Sequence, residues 1–111
     1  ALHRARTGGD ADEALVRAEA DAVRAAEQAP SASTWFVLGA VRELAARRAL
    51  RRGDDAEPAF LRAEEALAKA VEANPRYADA WHMRGRARAG RADARTLRGE
   101  DGDALRAEAE A

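Results

Sequence analysis

The sequence predicts an all-α fold built from a repeated helical hairpin, and three observations carry that reading. Alanine supplies 32 of the 111 residues and arginine 18, and both rank near the top of helix propensity. β-Branched and aromatic residues are scarce, so a sheet has little to build from. Landmarks recur at a fixed spacing: Trp35-x-x-Leu38-Gly39 returns 46 residues later as Trp81-x-x-Arg84-Gly85, and Gly53-Asp54-Asp55 as Gly99-Glu100-Asp101. Pro30 and Pro75 lie 45 apart, as do Gly8 and Gly53. A period of this length marks a stacked supersecondary unit. Such a chain offers a repeated surface to a partner rather than one catalytic pocket. The large apolar set is small, so the core must be thin, with alanine allowing close helix approach. The length fits a single domain over residues 1–111.

The helices follow from punctuation. Residues 1–7 read as the tail of a helix ending at Gly8-Gly9. Asp10, with Glu13 three residues on, opens the next helix, which runs to about Gln28 with Leu15, Ala18, Ala22 and Val23 on one face. Pro30-Ser31 breaks it. Ser31 or Ser33 caps a long helix from Thr34 to about Arg52, with Trp35, Leu38, Val41, Ala45 and Ala49 at helical spacing. Gly53-Asp54-Asp55 ends that helix. Pro58 suits the first turn of the following one, where its missing N–H does no harm. This helix carries Leu61, Ala63, Leu67, Ala70 and Val71, and stops at Asn74-Pro75. A further helix spans about Tyr77 to Leu97, and Leu105 begins another. Glu13–Arg17, Glu43–Arg47 and Glu65–Lys69 are i,i+4 pairs in the favourable order.

Several function classes are excluded or lose support. There is no cysteine, so disulfides and thiolate metal sites are absent; this fits a reducing compartment, and a cytoplasmic setting is expected. No apolar run approaches the ~20 residues of a membrane span. The two histidines, His3 and His82, lack the clustered ligands a zinc site needs. The acidic turns are too short for a calcium loop and read as helix caps. Ser31, Ser33 and Thr34 have no nearby base. No catalytic residue, metal or cofactor is therefore expected. The formal net charge of -1 gives no global attraction to a polyanion.

Trp35, Leu38 and Gly39, then Ala63, Leu67, Ala70 and Pro75, together resemble the tetratricopeptide repeat family and its W-x2-L-G…A…P signature. Trp81 and Gly85 start a further copy, and Ala18, Ala22, Ala25 and Pro30 match the second half of an earlier one. The resemblance implies a solenoid of antiparallel A/B hairpins, here about two and a half units, as a fragment of a longer array. It implies that Gly39 and Gly85 admit a partner helix, and that Trp35 and Trp81 are buried between units. The chain departs from the family in its period, about 46 instead of 34, in Arg42 and Arg88 at the tyrosine position, and in Arg84 at a leucine position. Long Ala/Arg-rich repeats of this kind are similar to the helical tails of large bacterial multidomain proteins, including eukaryotic-like serine/threonine kinases, although no kinase motif is present.

The resemblance implies a non-catalytic scaffold that holds a peptide or partner helix on the A-helix face. The residues at those positions are Phe36, Ala40 and Glu43 in one copy, and Asp79, His82 and Arg86 in the next. They do not match the Lys/Asn carboxylate clamp of the family's chaperone-binding members. Open terminal helices lead to an expectation of self-association. The alternative is nucleic-acid or phosphate binding through Arg84, Arg88, Arg91 and Arg95, which share one helical face. Against it stands the reading that this stripe pairs with acids of the neighbouring helix.

Overall fold

A computed structural model describes residues 8–99. Among them the chain forms four helices: α1 (Gly8–Gln28), α2 (Ala32–Arg52), α3 (Glu57–Ala73) and α4 (Ala78–Leu97). No strand occurs among the described residues. The breaks fall where the chemistry requires them. The Ser31 side chain accepts the Thr34 N–H at 3.1 Å, and Thr34 Oγ1 accepts the Ser31 N–H at 2.9 Å, a reciprocal cap. Gly53 ends α2 at φ 87°, and Gly99 follows α4 at φ 85°, the left-handed conformation that glycine reaches without penalty. At Gly53 the turn closes with Asp54 N–H donating to Ala49 O at 3.0 Å and Gly53 N–H to Leu50 O at 3.1 Å. Pro58 lies in the first turn of α3, and Asn74 caps its end.

Helix α2 is the hub and packs against α1, α3 and α4, while α3 packs against both α2 and α4. The main core is Ala46, Ala56, Phe60, Ala63, Leu67, Ala87 and Ala94, in which Phe60 and Leu67 are the largest fully buried side chains. Because alanine contributes little side chain, the two large residues need glycines opposite them. A β-carbon on Gly39 would lie 2.6 Å from Leu67 Cδ2, and one on Gly90 would lie 2.8 Å from Phe60 Cδ1. A second cluster joins Ala22, Ala26, Leu38 and Ala66, with Trp35 against it. A third joins Ala70, Val71 and Ala80 with Trp35, Phe36 and Tyr77.

The same ion pairs tie α1 to α2 and α3 to α4. Arg42 donates to Glu19 at 3.0 Å and Arg88 to Glu64 at 3.3 Å. Near the other end, Arg52 meets Asp12 at 2.9 Å and Arg98 meets Glu57 at 2.6 Å. The acids are 45 residues apart and the arginines 46. The internal repeat in the sequence is therefore matched by repeated contacts.

Five expectations from the sequence differ from the structure. Gly8 and Gly9 belong to α1 instead of closing a preceding helix; in a first turn the backbone N–H groups lack intrahelical partners anyway, so glycine there costs little. On α3 the core residue is Phe60, whereas Leu61 is 40% exposed, because the buried face is set by the glycine opposite it on α4. Trp81 is 48% exposed. Its indole N–H donates to Pro75 O at 2.8 Å and the Arg84 guanidinium lies over its ring at 5.4 Å, so the ring is tied to the α3–α4 turn and not inserted between helices. Trp35 is half-buried. Of the three i,i+4 pairs, Glu43–Arg47 closes at 2.9 Å, while Lys69 places its ammonium over Trp35 at 4.8 Å. The helices expected over residues 1–7 and from Leu105 lie outside the described residues.

Candidate functional site

The face expected to bind a partner lies on α2 and α4. Helix α3 separates these two in sequence, yet they are in contact. Phe36 is half-buried and its ring meets Tyr77 at 5.0 Å between centroids, tilted by 38°. Ala40, one turn on, is also half-buried. Glu43 is buried at 4% exposure, and a buried carboxylate requires partners. It has two: Arg47 on its own helix at 2.9 Å and Arg86 of α4 at 3.5 Å. Arg47 Nη2 also donates to the Arg86 carbonyl at 3.3 Å and its guanidinium lies 5.5 Å from the Phe60 ring centroid, so one arginine ties α2 to both α3 and α4.

The structure thus joins Glu43 to Arg86 directly. Arg86 still leaves about half of its side chain exposed. Asp79 and His82 lie on the exposed side of α4, and among the described residues neither makes a hydrogen bond or ion pair with the other four. Tyr77 and Arg47 also belong to this face, which the sequence does not indicate. Tyr77 stands just ahead of α4 next to a proline turn, where only its aromaticity could have drawn notice. In the sequence Arg47 is visible only as a local partner of Glu43.

The arginine stripe of α4 faces α3. Arg88 and Arg91 both reach Glu64, at 3.3 and 2.8 Å. Arg95 and Arg98 reach Glu57, at 2.7 and 2.6 Å. Burial pushes the Glu64 carboxyl above its ordinary value, more than the nearby Arg91, Arg88 and Arg84 charges pull it down. Burial also pushes Glu57 upward, but hydrogen bonds and charge from Arg98 and Arg95 outweigh it and leave that carboxyl below its ordinary value. The Arg91–Glu64 contact lacks hydrogen-bond alignment, and Arg91 Nε has no hydrogen-bond partner.

Cavities indent the surface formed by the described residues. One, of about 250 Å³, has Trp35, Leu38, Ala26 and Ala66 in its wall and Glu27, Glu65 and Lys69 among its polar lining. Another, of about 230 Å³, lies between α1 and α2. Among the described residues no group of three or more His, Asp or Glu side chains could hold a metal ion, and no helix is long and apolar enough to cross a membrane. Comparison with known proteins finds no matching family model, curated protein or solved structure.

Proposed function

We propose that the chain is a non-catalytic interaction module of the tetratricopeptide type, and that the α2–α4 face holds a peptide or partner helix. The observation that carries this reading is the pairing of α2 with α4. It brings Glu43 to Arg86 at 3.5 Å and Phe36 to the Tyr77 ring just ahead of α4, with Asp79 and His82 on the exposed side of α4. The face offers apolar area at Phe36, an exposed carboxylate at Asp79, and a half-exposed guanidinium at Arg86. A guanidinium donates to carboxylates in a fixed fork, so the favoured ligand is a peptide with an apolar anchor next to an acid. The repeated hairpin supports a solenoid, and an array of such units binds through extended surfaces.

The polyanion alternative loses the feature that suggested it. Arg88, Arg91 and Arg95 are already engaged by Glu64 and Glu57. Binding a phosphate backbone would require giving up those pairs.

The test uses peptides selected by the full chain from a displayed library. Arg86→Gln should weaken their binding much more than Arg62→Gln on the outer side of α3. Added salt should weaken it only modestly, since few charges are neutralised. Equal effects of the two substitutions, or preferential binding of duplex DNA with a steep salt slope, would overturn the reading.

A further inference from the structure

The two hairpins differ at two corresponding positions, which are arginine in the second and alanine in the first. In the second hairpin Arg91 sets Nη1 2.8 Å from Glu64 with only 14% of its side chain exposed, and Arg95 donates to Glu57 at 2.7 Å. The 46-residue offset places Ala45 and Ala49 of α2 at those two positions. Their acidic counterparts remain, Glu19 for Glu64 and Asp12 for Glu57. Where the second hairpin is filled, the first has a cavity of about 230 Å³ lined by Asp12, Leu15, Val16, Glu19, Ala45 and Arg52.

We infer that this cavity receives a guanidinium group on an aliphatic stem, an arginine side chain of a bound peptide, standing where Arg91 stands in the other hairpin. Leu15 and Val16 provide an apolar wall for the stem. Among the described residues Glu19 has one ion-pair partner, Arg42, whereas Glu64 has both Arg88 and Arg91. Asp12 is already held by Arg48 and Arg52. One added guanidinium would give Asp12 and Glu19 four cationic partners in all, as Glu57 and Glu64 have in Arg88, Arg91, Arg95 and Arg98. The volume falls below the roughly 300–1,000 Å³ of pockets for whole small molecules, and suits one side chain. A guanidinium is planar and weakly hydrated; an ammonium is compact and strongly hydrated, which disfavours lysine in a partly enclosed site. The site shares no residue with the α2–α4 face, so it stands independently of the function proposed for that face.

The test is an NMR titration of the full chain with three probes: agmatine, acetyl-Ala-Arg-Ala-amide and acetyl-Ala-Lys-Ala-amide. The arginine peptide should shift the amides of Leu15, Val16, Glu19 and Ala45 saturably, and bind more tightly than agmatine. The lysine peptide should bind at least about tenfold more weakly. Ala45→Arg should fill the cavity from within, raise Tm and abolish the titration. Glu19→Gln should weaken it, and gives a second readout should the larger substitution fail to fold. Arg91→Ala should open a matching site beside Glu64. Equal binding of the lysine and arginine peptides, agmatine binding as tightly as the peptide, or a titration unchanged by Ala45→Arg or by Glu19→Gln would each overturn the inference.

Discussion

Leu67 of α3 packs onto the bare α-carbon of Gly39 in α2, so closely that a β-carbon there would come within 2.6 Å of its Cδ2. Leu67 is fully buried, in a core packed closely enough that added volume is felt. Gly39→Ala gains up to about 1 kcal/mol in helix propensity, yet overpacking should cost about 1–3 kcal/mol. The net effect should be a lower denaturation midpoint. Pairing it with Leu67→Ala should cost less than the sum of the two single changes, because the clash and the cavity relieve each other. Additive losses would mean that the two residues are not in contact.

Phe60 should be the most costly apolar truncation. Phe60→Ala should lose roughly 3–5 kcal/mol, the range for a buried aromatic. Its neighbour Leu61, 40% exposed, should lose far less on the same change, within about 1 kcal/mol. Urea unfolding of the two variants would check which face of α3 is the core.

The all-helical class and the helix ends are legible in the sequence because composition and punctuation act locally. Gly53, Pro58 and Asn74-Pro75 mark helix ends through their own backbone chemistry, and the doubled tryptophan spacing exposes the repeat. The buried face of α3 is ambiguous in the sequence because Phe60 and Leu61 are adjacent and both apolar. The choice between them depends on Gly90, thirty residues later, which is visible only once α3 and α4 are packed. The burial of Trp81 is ambiguous for the same reason: the motif locates the residue, but its burial depends on what packs over it. At the candidate site, Phe36, Ala40 and Glu43 follow from the family resemblance. The Glu43–Arg86 contact and the occupation of the arginine stripe by Glu57 and Glu64 required the tertiary arrangement.

Trp35 and Trp81 should differ in solvent access. With Trp81 replaced by phenylalanine, the emission of the remaining Trp35 should be blue-shifted and resist acrylamide quenching. With Trp35 replaced, the remaining Trp81 should be quenched readily, in keeping with its 48% exposure. Equal quenching would contradict the placement of the two rings.

Glu57 and Glu64 should affect acid stability in opposite directions. Glu57 is depressed in the folded state, so its contribution is full above the ordinary carboxylate pKa and is lost as pH falls through the lowered folded value. Glu57→Gln should therefore be destabilising at neutral pH, and the difference should shrink in acid. Glu64 is raised, so the folded state binds the proton more readily than the unfolded one. Stability attributable to Glu64 is greatest below the ordinary carboxylate pKa, and is lost as pH rises through the raised folded value. Relative to Glu64→Gln, the parent should gain stability on acidification across that window. Melts of the three proteins from neutral pH downward would show the two opposite slopes; parallel curves would contradict both assignments.

The central claim is that partners bind on the face shared by α2 and α4. The most direct measurement is chemical-shift mapping on the full chain with the tightest peptide from library selection. The account predicts perturbations that converge on Phe36, Ala40, His82 and Arg86, with Tyr77 broadened beside Phe36, and little change on the outward residues Arg17 and Arg62. Perturbations centred on Arg17 and Arg62, or a selection that enriches no peptide, would contradict it.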